Sequence, residues 1–132
     1  MSEESLEIVR GVLGRWSEGD FSASVNVLDP HVVFLMGPEF PDAGAYYGVE
    51  AFIAYTRRLL EPWTRLTIEA EELIPAGDSV LARVHQRGVG GGSGISTEMT
   101  FFMVWTFRAH SVVRLESFRE QAEALEAAGL SE

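Results

Sequence analysis

The chain has no cysteine at all, which excludes disulfides, thiolate metal sites and a thiol nucleophile while leaving the redox compartment open. Basic residues are also scarce: 10 Lys and Arg stand against 20 Asp and Glu, a formal net charge of −10. Binding to a nucleic-acid backbone depends on clustered cations that release counterions, so no nucleic-acid partner is expected. The acidity is read as serving solubility. No apolar run approaches membrane-spanning length, so no membrane partner is expected either. The opening Met-Ser-Glu-Glu-Ser carries acids where a targeting signal needs positive charge, and a cytoplasmic location is the expectation. The histidines, His31, His85 and His110, stand at no metal-ligand spacing from one another. Neither a metal nor a cofactor is expected. A length of 132 residues fits one domain, residues 1–132, able to bury roughly two-thirds of its unfolded surface.

What is present is a strongly patterned β-rich second half behind a helical first half. From Glu98 to Arg108 the residues alternate, with Met99, Phe101, Met103, Trp105 and Phe107 on one face and Glu98, Thr100, Phe102, Val104, Thr106 and Arg108 on the other. This predicts a long central strand with one large apolar face and one mixed face suited to half-exposure or to a partner. Upstream, Leu6, Val9, Val12, Leu13 and Trp16 recur at helical spacing and predict a helix over 3–17 that ends at Gly19. Gly11 and Gly14 interrupt that helix, which points to close packing on their side. A short helix from Asp20, a strand over Val32–Met36 and a helix over Val49–Leu60 follow. Between the last two, residues 37–48 are too rich in Gly and Pro for regular structure and read as a lid or rim loop. Strands are predicted from Leu66 towards Ile74, over Val80–Gly88 and over Val112–Phe118, with a last helix over Glu120–Ala128 closed by Gly129. Helices followed by a strand meander mean an α+β fold, with the helices against one face of a curved sheet.

The glycine-rich link after Gly88 joins two strands and holds no Lys, so it is a hairpin tip and not a phosphate cradle. His85 alone lies inside a strand, where it is either an ordinary strand histidine or a general base or proton donor in a cavity. The aspartates, Asp20, Asp29, Asp42 and Asp78, fall in caps, turns or the loop. Glu69, Glu71, Glu98 and Glu116 alternate away from apolar neighbours, so no buried carboxylate pair tuned for proton transfer is visible. A candidate ligand-binding set consists of Trp16, Phe34, Met36, Phe52, Tyr55, Phe101, Met103 and Trp105. Its large rings and adaptable Met side chains suit an apolar pocket wall as well as a packed core.

Taken in order, Glu18-Gly-Asp-Phe21, Leu28-Asp-Pro-His31, Phe40-Pro-Asp-Ala-Gly44, Tyr47-Gly48, Gln86-Arg-Gly88 and Val104-Trp-Thr-Phe-Arg108 resemble a SnoaL-like protein of the nuclear transport factor 2-like superfamily. The resemblance implies a cone-shaped, cystatin-like α+β barrel: a bent antiparallel sheet wrapped around the helices, a ligand cavity inside, and often a homodimer through the outer sheet face. The superfamily contains cyclases, isomerases, dehydratases and hydrolases together with non-catalytic modules, so the fold does not choose a function. Counting register against the ketosteroid isomerases places their base at Met36 and their oxyanion acid at Met103, which excludes an isomerase of that mechanism. The same borrowed register turns Arg83, His85 and Arg87 inward, whereas hydrophobic alternation turns Val80, Ala82 and Val84 inward. The expectation is therefore a cavity for a hydrophobic polyketide-, terpene- or steroid-like molecule. Any chemistry there would be metal-free proton transfer by His85, with Glu39, Tyr46 or Tyr47 in reach. The alternative is a dimerisation or protein-interaction module working through Phe102, Val104 and Thr106.

Overall fold

A computed structural model describes residues 2–92 and 94–130. In chain order the elements are α1 (Ser2–Trp16), a 3-10 turn (Ala23–Val27), β1 (Leu28–Met36), β2 (Gly44–Tyr47), α2 (Val49–Leu60), β3 (Trp63–Ala76), β4 (Ser79–Gly90), β5 (Ser96–Arg108), β6 (Ser111–Phe118) and α3 (Gln121–Ala127). Glycines terminate the first and last helices. Gly19 and Gly129 take φ of +86° and +80°, and the amides around them bond back to the last turn (Asp20 to Arg15, Leu130 to Leu125). Gly11 and Gly14, by contrast, face open space, and nothing in the structure explains them.

The strands form one sheet in the order β2-β1-β6-β5-β4-β3. Neighbours are antiparallel except β1 and β6, which run parallel, so the sheet is mixed where the resemblance implied antiparallel pairing throughout. The cause is the path of the chain: α2 carries it to the far edge, and the β3-to-β6 meander returns alongside β1. Register shifts at Trp63/Arg65, Ala70/Glu72 and Thr106/Phe107 mark bulges that bend the strands and re-phase their faces. The shift in β6 lets Val112 and Leu115 both point inward despite their odd spacing.

Residues 37–48 are more ordered than their composition implies. Gly44–Tyr47 pairs antiparallel with Val33–Met36 as an edge strand, because Tyr46 finds ring neighbours in Phe34 (5.9 Å) and Tyr55 (5.2 Å). The principal core lies between the inner sheet face and α1 and α2, and contains Val9, Leu13, Phe34, Phe52, Val80, Val84 and Trp105. α3 does not join it. The helix lies on the opposite face, where Ala124, Leu125 and Ala128 pack on Leu81, Phe102, Val104, Ile74 and Phe118. Phe102 and Val104, expected to meet a partner, are therefore already buried within the chain. An outward row of that size is too apolar to leave in water, and the nearest amphipathic segment covers it.

Candidate functional site

Between the inner sheet face, α1, α2 and the segment after β1 lies an open cavity of about 470 Å³. Trp16 reaches it from α1, Phe52 and Tyr55 from α2, Phe34 and Met36 from β1, and Phe101 and Met103 from β5. Each strand residue among these lies on the inward phase of its strand, and the helix residues lie on the stripe that α1 and α2 bury against the sheet. Trp105 does not line the cavity. It is fully buried behind the wall, its ring 5.5 Å from that of Trp16.

His85 stands outside. Its strand follows hydrophobic alternation, with Val80, Ala82 and Val84 completely buried and inward, so the register borrowed from the isomerases is not the one adopted. On the outer face His85 Nε2 meets Glu98 Oε1 at 2.9 Å, and Nδ1 lies 3.4 Å from Thr100 Oγ1 and 3.9 Å from Glu71 Oε2. Arg83 bonds Glu71 and Glu72 beside it, and Arg87 reaches Glu98 at 3.6 Å. Such a partly exposed ladder of ion pairs is an ordinary sheet surface. Tyr47 is 70% exposed, and the Tyr46 hydroxyl donates to the Asp42 carbonyl at 2.7 Å. Glu39 does line the cavity.

Several lining residues escaped the sequence reading. Gln86 is the polar contribution of β4, and its phase shared with Val80 and Val84 was the available signal. Phe40 closes one side, its ring edge-on to Phe101 at 5.5 Å, and is 5% exposed although it sits in the irregular segment. Trp63 forms another part of the rim by lying across Gly88, where a Cβ would come within 2.8 Å of the indole. That close approach is what Gly88 permits. Ser117 of β6 stands in the wall between Met36 and Met103, its register partners on β1 and β5. Its phase shared with Leu115 was the available signal.

The electrostatics divide by depth. The acidic residues of the lining, Glu39, Asp42 and Glu98, are all exposed, as is Arg119, and both carboxylate oxygens of Glu98 are turned to His85 and Arg87 on the outer face. The Tyr55 phenol is pushed up to about 12, chiefly by burial, then by the nearby Asp42 and Tyr46, with Arg58 opposing. It stays protonated at neutral pH. Among the described residues no three His, Asp or Glu side chains gather as metal ligands, and no helix is long and apolar enough to cross a membrane.

The SnoaL-like domain family matches this chain over residues 9–115. The chain belongs to the SnoaL-like family. Solved structures agree with that family's fold. An NTF2-like protein from Burkholderia thailandensis is 26% identical, with 95% of each chain covered and a TM-score of 0.77. A putative SnoaL-like polyketide cyclase from Jannaschia sp. CCS1 is 17% identical, with 98% of this chain and 94% of that one covered and a TM-score of 0.76. TerC, co-crystallised with polyporic acid, is 15% identical, with 96% and 98% covered and a TM-score of 0.75. No protein of curated function matches. In this SnoaL-like chain Met36 and Met103 both line the cavity, and its charged lining residues stand at exposed positions.

Proposed function

We propose that this SnoaL-like protein binds an apolar, ring-containing small molecule of the polyketide, terpene or steroid type. The observation that carries the reading is the open cavity of about 470 Å³ walled by Trp16, Phe34, Phe52, Tyr55, Phe101 and two methionines. That volume lies within the roughly 300–1,000 Å³ of small-molecule sites, which are mostly apolar with a few placed polar groups. Flat aromatic walls and adaptable thioethers favour a rigid ring body. The likeness to TerC, whose crystal held polyporic acid, and to a putative polyketide cyclase is consistent with such a ligand.

Binding is favoured over proton-transfer catalysis by the placement of the titratable groups. A general acid or base must come within hydrogen-bond reach of the reacting atom, and the lining offers carboxylates only at exposed positions, with His85 on the other side of the sheet. Fluorene, a rigid hydrocarbon, tests the cavity. Native mass spectrometry is expected to show uptake of one molecule per chain, with quenching of the fluorescence of Trp16 and Trp63, and the His85→Ala variant is expected to bind as the wild type does. Absence of uptake and quenching would overturn the reading.

A further inference from the structure

The inward phase of β4 runs through Val80, Ala82 and Val84, all completely buried, and reaches Gln86 next. The register shows which way Gln86 points. Ile68 on β3 and Met99 on β5 stand directly opposite it, and both line the cavity, as Gln86 itself does. One step further along the same phase, Gly88 is covered by Trp63, another residue of the lining. Opposite residues of neighbouring strands share a face, so Gln86 projects to the cavity side between apolar neighbours. The side chain is half-buried, and its amide has no partner among the described residues. That amide is not sealed in packing, as Trp16 Nε1, Trp105 Nε1 and Ser117 Oγ are. It is open to the cavity.

Other polar groups of the lining are committed elsewhere or stand at exposed positions. The Thr56 hydroxyl donates to the Phe52 carbonyl at 2.9 Å, and Glu98 is turned to His85 and Arg87. Glu39, Asp42, Thr97 and Arg119 are exposed. A polar side chain on an inward, otherwise apolar row costs desolvation unless it is paired. Sequences depart from their own pattern chiefly at functional or strained sites. Pairing of β4 is regular on both sides of Gln86, from Thr67/Arg87 to Glu69/His85 and from Arg87/Glu98 to His85/Thr100, so strain is not the reason. The amide offers one oxygen acceptor and an NH2 donor, and a hydroxyl complements either end. An ionised group would find no opposite charge on this neutral side chain to offset its desolvation. We infer that Gln86 is a specificity-determining residue whose amide holds a neutral hydroxyl at one end of the ligand's ring body. The rings then lie along Met99, Phe101 and Met103, an inward row of the lining that spans about 13 Å. This rests on the reading of the cavity as a small-molecule site, and it adds the group that the ligand bears and the residue that receives it.

Fluorene and 2-hydroxyfluorene share one rigid outline and differ by a single terminal hydroxyl, which is neutral at pH 7. Their dissociation constants are measured on the wild type, Gln86→Met and Gln86→Leu, with unfolding midpoints to confirm folding. The ratio of the fluorene constant to the 2-hydroxyfluorene constant, compared across proteins, cancels the different solubilities of the probes. It is expected to fall roughly three- to tenfold in both variants, the range of one ordinary hydrogen bond, while fluorene binding holds or tightens. A merely structural role for Gln86 would shift both probes together and leave the ratio unmoved. An unchanged ratio therefore overturns the assignment of Gln86 and leaves the apolar site standing. Failure of the wild type to take up either probe overturns both. Met keeps the unbranched shape of Gln and Leu does not, so the ratio in whichever variant folds decides.

Discussion

Tyr55 shows how a single residue couples the cavity to stability. Its ring packs against Phe34 at 4.8 Å and Tyr46 at 5.2 Å, and burial raises its phenol to about 12 from the ordinary value of 10.0. Because the folded state holds this proton more tightly than the unfolded chain does, stability is intact below pH 10.0 and is lost as pH rises from there through about 12. The urea midpoint is therefore expected to fall across that alkaline window and to fall less steeply in Tyr55→Phe; equal slopes in both proteins would remove Tyr55 as the cause. Asp20 behaves oppositely, held below the usual carboxylate range by the hydroxyl and amide of Ser22 and by Arg15. It pins the exit of α1 and takes no part in the cavity.

Among the elements, α3 carries a role its short length conceals. Its residues Ala124 and Leu125, with Ala128 just beyond it, cover Leu81, Phe102 and Val104 on the outer sheet face, and the last two belong to the strand whose other phase forms the cavity wall. Removing the chain from Gln121 onward is expected to uncover this row and cause self-association, read as a rise in mass by light scattering, with the inner core still folded by circular dichroism. A monomer of unchanged stability would show that the row tolerates water. Elsewhere on that face, β3, β4 and β5 present Glu71, Arg83, His85, Arg87 and Glu98, already paired with one another. Apolar and ion-paired zones thus share one side of the sheet.

For the whole molecule, the dominant global term is the excess of acids, a net charge of −10. Like charges repel in the compact state, and the paired surface cations offset only part of this. Raising salt from about 10 to 150 mM shortens the screening length from roughly 30 to 8 Å. The urea midpoint is expected to rise over that range with an unchanged slope. A falling midpoint would mean that the surface ion pairs outweigh the repulsion.

The alternation in Glu98–Arg108 and in Val80–Gly88 determined, from the sequence alone, which side chains share a face, and with the helical stripes it determined the α+β class. Those signals are local, because side-chain direction repeats with the backbone period. The family resemblance added the cone and its cavity, and it erred where it overrode alternation at His85. Tertiary structure alone decided what covers each face. It sent α3 to the outside over Phe102 and Val104, and it stitched Gly44–Tyr47 onto β1. It also set Ser117 between Met36 and Met103. Each of these depends on contacts between segments distant in sequence, so no repeat within one segment records them. The polar atoms of Trp16 and Ser117 that lack a partner among the described residues are of the same kind: a missing hydrogen bond becomes visible only once the surrounding segments have been placed.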